Sequence, residues 1–344
     1  MTRIVIADDG ITFDGTTPAN RPLGGAESSV VCLAEALAAR GHEVLVRNKC
    51  IRSIEHNGVS WAPISDGLPD TADLYIANRG DKLLPLLPKA RRRVFWVHNP
   101  AQYLLKGRYL WKLWRYKPAI VFIGDYHATT YPWWGPGGRR MTVPYGISEA
   151  FLSAEPASEP PPPRAIFVSN PLRSLDWLMA LWSAEIRPRL PDAELHLFTG
   201  SATYGEVGDA KAREMIAVLD RARAHAADGI VLRQPVPKSR LAQELRAARV
   251  MLYRGDLNET FCSAVGEAQA MGVPAVVQNL GSVVERVRDR ETGFVAPDDR
   301  AFAESALRLL TDDGLWRDQH AAALRMQRSW GWTEAARRFE ELMT

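Results

Sequence analysis

Two glutamates, Glu259 and Glu267, stand eight residues apart in the stretch NETFCSAVGEAQAMGVPAVV, residues 258–277. The pattern predicts a helix that starts near Thr260 or Phe261 and runs to Met271, with Gly272 ending it and Pro274 beyond. Glu259 then sits at the helix mouth, and Glu267 lies ~12 Å further along the axis at ~1.5 Å per residue. Carboxylates that far apart cannot share a proton, which excludes the paired-carboxylate dyad of hydrolases. They suit the two ends of one long ligand. The free amides of Thr260, Phe261, Cys262 and Ser263 lie between them, and a helix N-terminus is an anion site. A ligand that is anionic in the middle and rich in hydroxyls at both ends is a nucleotide-diphosphate sugar. Glu267 would accept hydrogen bonds from its ribose and Glu259 from its sugar.

Other residues bear on the same chemistry. Gly24 and Gly25 precede a run with helical apolar spacing, Val30, Leu33, Ala34, Leu37 and Ala38. They fit either a close backbone approach to a phosphate or a plain hinge loop. His98 ends the strand-like run VFWVHN. The other six histidines have no comparable context and are expected to be structural or at the surface. The paired aspartates Asp8-Asp9, Asp298-Asp299 and Asp312-Asp313 look like turn and cap residues. No D-x-D, clustered His/Cys or Glu/His metal spacing occurs, so no metal and no cofactor is expected. Without a metal, helix dipoles and cations must neutralise a leaving diphosphate. Arg173, the helix mouth at 260–263 and Lys238 are placed to do so.

The elements that must position these residues follow from periodicity. Strand-like runs at 3–7, 42–47, 59–64, 73–77, 93–97 and 119–124 alternate with helical patterns. That order predicts a parallel sheet with helices on both faces. Gly41 is placed to end the first helix. Residues 154–164, AEPASEPPPPR, read as a stiff extended linker. Strand and helix patterns then restart, with a helix predicted over 174–190. We therefore expect an N-terminal domain over 1–153, a linker over 154–164, a C-terminal domain over 165–329 and a final helix in 330–344. Ligands of such sheets lie beyond the carboxyl ends of the strands, so two such domains are expected to face each other across a cleft.

The 344-residue chain has 46 % hydrophobic and 24 % charged residues, which suits ordinary globular cores. Three cysteines without metal-like spacing fit a reducing cytoplasm. No signal peptide and no membrane-spanning run is expected. The net charge of +3 is uneven. Ten basic and no acidic residues lie between Asp81 and Asp125, so the rest of the chain is net acidic. Within that interval, QYLLKGRYLWKLWRYKP (102–118) is expected to be helical. It would carry Arg108, Lys112 and Arg115 on one side and Tyr103, Leu104, Leu110, Trp111 and Trp114 on another. Trp beside Lys and Arg suits an anionic membrane surface or an acidic acceptor. A buried aromatic helix with a solvated basic edge fits the same pattern. One local basic patch without a binding module argues against nucleic acid.

Together these motifs resemble the retaining nucleotide-sugar glycosyltransferases of the GT-B fold, glycosyltransferase family 4 (glycosyl transferases group 1). That family's Glu-x7-Glu motif is matched by Glu259, Glu267, Ala268, Ala270, Gly272 and Pro274, and its Gly-Gly-x-Glu by Gly24, Gly25 and Glu27. His98, VPYGISEAF (143–151) and ETGFVAPDD (291–299) match further elements, over nearly the whole chain. Two positions depart from the pattern. Asn170 stands where an arginine is usual, with Arg173 in the place of a later lysine, and Cys262 replaces a glycine. The resemblance implies two Rossmann-like α/β domains and metal-independent transfer of a hexosyl group to a hydroxyl of a glycan or lipid-linked acceptor. It implies that Glu259 orients the donor sugar, Glu267 holds the ribose, and Arg173 with the Gly24-Gly25 loop holds the diphosphate. It places His98 near the transferred sugar. Bacterial envelope polysaccharide or glycolipid synthesis, in the cytoplasm or on the inner face of the membrane, is the expected setting. A GT-B nucleotide-sugar epimerase and a non-catalytic partner subunit that binds nucleotide sugar or membrane are the alternatives.

Overall fold

Runs rich in Val, Ile and aromatic residues form strands because such side chains pack well on a pleated surface. In the computed structural model, which describes residues 2–200 and 209–344, they build two sheets. Contacts divide the chain into two compact units. One comprises the chain up to Asn20, Gly24–Gly146 and Trp330–Thr344, the other Arg21–Leu23 and Ile147–Ser329.

The first unit contains β1 (Arg3–Asp8), β2 (Glu43–Asn48), β3 (Ile54–His56), β4 (Val59–Pro63), β5 (Ala72–Asn78), β6 (Ala90–Trp96), β7 (Ala119–Phe122) and β8 (Arg140–Thr142). They pair in the order β3-β4-β2-β1-β5-β6-β7-β8, and every pair is parallel except β3 with β4. The antiparallel edge pair turns on Asn57-Gly58, both in the left-handed region at φ 47° and 75°. Asn-Gly between strands is a strong hairpin signal, so β3 was legible in the sequence and was missed there. Helices α1 (Thr17–Asn20), α2 (Gly25–Ala39), α3 (Gly107–Tyr116) and α4 (Asp125–Thr129) belong to the same unit. Gly41, at φ 89°, follows α2 and donates its amide to Ala38.

The second unit contains β9 (Arg164–Phe167), β10 (Glu194–Phe198), β11 (Ile230–Arg233), β12 (Val250–Leu252), β13 (Ala275–Gln278) and β14 (Gly293–Ala296). Their order is β11-β10-β9-β12-β13-β14, parallel throughout. Its helices are α5 (Glu149–Leu152), α6 (Leu175–Leu181), α7 (Asp209–Ala224), α8 (Lys238–Arg246), α9 (Ser263–Ala270), α10 (Asp299–Thr311) and α11 (Asp313–Gln327). Asp298 and Asp312 cap α10 and α11 by accepting the amides of Ala301 and Leu315. The proline-rich segment lies within this unit, where the carbonyl of Pro161 accepts from Arg249 at 3.2 Å. The last helix, α12 (Trp332–Glu340), belongs to the first unit. There Glu340 binds Arg40 at 2.6 and 2.7 Å and His42 at 2.9 Å, and Phe339 packs on Trp96.

Three helices depart from the expected pattern. The helix expected from Thr260 begins at Ser263, because Cys262, at φ −86° and ψ 84°, is not helical. Glu259 therefore stands on a loop ahead of α9. The helix expected over 174–190 is α6 followed by a π-helical turn, Trp182–Ile186. The helix expected from residue 102 is a 3-10 turn, Ala101–Leu105, and then α3, which begins at Gly107. Glycine inside a helix is costly, whereas at a helix start it is tolerated.

Candidate functional site

In the second unit, β12 leads into a loop that the chain bends sharply. Gly255 has φ 100°, and a Cβ there would stand 2.6 Å from the carbonyl oxygen of Leu280. Gly281 has φ 67°, and a Cβ there would stand 2.1 Å from the oxygen of Asp256. Only glycine fits either place. Glu259 is held in this bend, its amide donating to Asp256 at 2.9 Å and its carbonyl accepting from Ser282 at 3.2 Å.

The side chain of Glu259 is only 12 % exposed, and the Tyr253 hydroxyl and the Cys262 thiol lie against its carboxylate. Burial pushes its carboxyl up to about 7, against the opposing pull of the Arg173 guanidinium. Arg173 Nη1 lies 3.4 Å from Asp256 Oδ1 and 4.0 Å from Glu259 Oε1. Asn170 positions that arginine: its Oδ1 accepts the Leu172 amide at 2.9 Å and its carbonyl accepts the Arg173 amide at 2.9 Å. The asparagine thus shapes the turn, a task that an arginine there could not perform. Cys262 is buried and its thiol is pushed up by burial and by Glu259, so it is a neutral packing group.

Glu267, in α9, is bonded to Nζ of Lys238, the first residue of α8. Lys238 was expected to help neutralise a diphosphate; its ammonium is instead engaged with the proposed ribose carboxylate. Thr260 is buried, Phe261 stacks under Arg286, and Ser263 opens α9. The structure thus brings together Arg173, Glu259, Cys262 and the α9 start, and separately Glu267 with Lys238. Sequence reasoning missed Gly255, Gly281, Tyr253 and Arg286; the first two carry a legible turn signal, the others none.

In the first unit a buried polar chain crosses the carboxyl ends of the strands. Asp8 ends β1, and its Oδ2 accepts from Asn78 at 2.5 Å and from Arg79 at 3.0 Å. Arg79 also reaches Glu27 of α2 at 3.0 Å. Asn78 Oδ1 lies 2.5 Å from His98 Nε2, and His98 Nδ1 is bonded to the Tyr145 hydroxyl. Because the Asn78 amide nitrogen serves Asp8, its oxygen accepts. His98 therefore carries its proton on Nε2, and Tyr145 donates to Nδ1. Burial and the Arg79 charge hold His98 well below its ordinary pKa, so it is neutral. Both ring nitrogens are occupied, and a hydroxyl could bond to Nδ1 only if Tyr145 released it. Asp8 is thus the turn residue expected, its Oδ1 accepting the Gly10 amide at 2.8 Å, and a buried network residue as well.

Gly24 caps α2 at φ −61° and ψ 160°, a conformation open to any residue. In α3 the buried stripe is Tyr109 and Leu113, whereas Trp111 and Trp114 are 55 % and 68 % exposed. Leu110 and the two tryptophans therefore do not form the packed side. Lys112 Nζ and Arg108 Nε lie 2.5 and 3.6 Å from Asp81, and Arg115 lies over Tyr116. Among the described residues no His, Cys, Asp and Glu group could hold a metal ion, and no helix is long and apolar enough to cross a membrane.

Residues 162–312 match the family described as Glycosyl transferases group 1, and that segment is a domain of this kind. The D-inositol 3-phosphate glycosyltransferase of Xylanimonas cellulosilytica is 36 % identical over 111 residues, 32 % of this chain and 26 % of that protein. Its counterpart in Thermobispora bispora is 28 % identical over 177 residues, 51 % of this chain and 41 % of that protein. The chain spans about a quarter to two fifths of the length of these relatives. Among solved structures, sucrose-phosphate synthase from Thermosynechococcus elongatus superposes with a TM-score of 0.77 at 17 % identity, covering 99 % of this chain and 98 % of that one. The E. coli trehalose-6-phosphate protein bound with UDP-2-fluoro glucose gives 0.72 at 14 % identity, covering 100 % and 99 %. At such identities the likeness establishes the fold, the two-domain GT-B architecture with parallel sheets.

Proposed function

We propose that this protein is a retaining, metal-independent hexosyltransferase that moves a sugar from a nucleotide-diphosphate sugar to a hydroxyl of a glycan or lipid-linked acceptor. The observation that carries this reading is the buried carboxylate of Glu259 beside Arg173, four residues ahead of the α9 start. A carboxylate in that setting has lost most of its water, and a hydroxyl-rich ligand would replace the hydrogen bonds that water made to it. Glu259 orients the donor sugar, Glu267 holds the ribose, and Arg173 with the amides at the start of α9 stabilises the diphosphate as it leaves. The second unit is the donor domain and the first unit the acceptor domain. The Gly24-Gly25 loop and His98 are the first domain's contribution.

The test is a thermal-shift titration with UDP, GDP, ADP, CMP and dTDP. One of the comparison structures holds a UDP sugar, which makes UDP the first to try. A nucleotide at 100 times its dissociation constant adds about 2.7 kcal/mol of stability. One nucleotide is expected to raise the melting temperature, and Glu267→Ala and Arg173→Ala are expected to abolish the rise. No shift with any nucleotide would bring the non-catalytic alternative forward.

The acceptor side is proposed to work at the inner face of an anionic membrane. Trp111 and Trp114 are exposed beside Arg115, in the manner of an interfacial helix. Arg108 and Lys112 are partly neutralised by Asp81, so the tryptophans carry more of the binding than the charges. Cosedimentation with phosphatidylglycerol-containing vesicles should fall several-fold in the Trp111→Ser, Trp114→Ser double variant. Equal binding by the variant would remove the helix from the contact.

A further inference from the structure

The expected donor site has an electrostatic deficit. Arg173 already faces Asp256 and Glu259, and Lys238 is bound to Glu267. Two cations stand against three carboxylates before a diphosphate adds negative charge of its own. Protonation of Glu259 relieves only part of that excess. A site built for a diphosphate needs a further cation.

Arg286 supplies one. It ends the 3-10 turn Gly281–Arg286, which is pinned to the Glu259 loop by the Ser282 amide donating to the Glu259 carbonyl at 3.2 Å. The guanidinium carbon lies 4.1 Å from the centroid of the Phe261 ring. Its aliphatic stem runs along α9: a Cβ on Gly266 would stand 3.5 Å from Arg286 Cδ, an ordinary contact. The charge thus sits at the start of α9, where the helix dipole already favours an anion. Its buried Nε has no hydrogen-bond partner, which for a guanidinium is an uncommon and costly state. Burial also pulls its pKa below the ordinary value, against the opposing pull of Glu285 and Cys262. An arriving phosphate would relieve that desolvation. Unlike Arg173 and Lys238, it is held in no salt bridge among the described residues.

We infer that Arg286 is a second diphosphate-binding residue, acting with Arg173 from the opposite side of the α9 start. The inference rests on the nucleotide-sugar reading above. It assigns to the 3-10 turn a direct part in gripping the leaving group, where an arginine can make two parallel bonds to phosphate oxygens.

Calorimetric titration of the full chain with the stabilising nucleoside diphosphate and with the corresponding nucleoside separates the possibilities. Arg286→Met is expected to weaken the diphosphate by about tenfold or more and to leave the nucleoside within about twofold, because only the phosphates meet the guanidinium. The salt dependence of diphosphate binding should flatten in the same variant. If Arg286→Met does not fold, Arg286→Gln, which keeps a polar end on the stem, carries the same comparison. Unchanged diphosphate affinity in the folded variant, with wild type binding normally, overturns the inference and leaves the donor reading standing. Failure of the wild type to bind any nucleoside diphosphate overturns the donor reading, and this inference with it.

Discussion

Replacing Glu259 by glutamine should lower the transfer rate on the order of 10²–10³-fold, the scale of losing one preorganised polar group at a reacting centre, while stabilising the unliganded protein above neutral pH. The second effect follows from burial. The carboxyl holds its proton up to about 7 in the folded chain, against an ordinary value of 4.5. Below 4.5 both folded and unfolded chains are protonated at this site, and Glu259 costs nothing. As pH rises from there, the unfolded chain ionises first and gains, so folded stability falls until the folded carboxyl also ionises near 7. The full penalty is about 3 kcal/mol, present at pH 8 and absent at pH 4. Glutamine cannot ionise and is nearly the same shape. Glu259→Gln should therefore melt several degrees higher than wild type at pH 8 and at the same temperature at pH 4. A variant equally stable at both pH values would mean that Glu259 is solvated or paired in solution. A variant that retains full transfer would remove Glu259 from the reaction. Stability sacrificed at the site of chemistry is the pattern expected of a preorganised group.

Arg79→Met is the second large effect, on folding rather than chemistry. Arg79 Nη2 bridges Asp8, which is fully buried, and Glu27, both at 3.0 Å. Removing one partner of a buried ionic group leaves the others uncompensated, which costs about 3–5 kcal/mol. Denaturant unfolding should show that loss. Asp8→Asn in the same chain should recover part of it, because the carboxylate is then gone too. Arg79 occupies the left-handed region at φ 65°, and methionine keeps that strain, so the comparison isolates the charge. The charge also helps hold His98 below its ordinary pKa. His98 in Arg79→Met should therefore titrate at higher pH than in wild type, as read by its ring resonances. A loss below about 1 kcal/mol, the scale of an exposed pair, would show that the network is hydrated in solution.

Local readings of this sequence succeeded where neighbours along the chain decide the outcome. The strand at Arg3–Asp8, the stop at Gly41, the turn after α9 at Gly272 and the caps at Asp298 and Asp312 depend on backbone preference and hydrogen bonds within four residues. The alternation of such elements was enough to predict two parallel α/β sheets. The start of α9 was misplaced because Ser282 and Gly281, some twenty residues on, hold the Glu259 carbonyl and bend the chain. The same distance hid the partners of the charged residues. Lys238 finds Glu267, Arg108 and Lys112 find Asp81, and Asp8 finds Arg79 and Asn78, none of them near in sequence. The chain by itself determined which residue types could bind a long anionic ligand and which segments could be helix or strand, because those follow from side-chain chemistry and short-range periodicity. Only the tertiary structure decided which carboxylate lost its water, which cations were already taken and which histidine proton was fixed, because burial and partnership depend on which strand ends lie side by side.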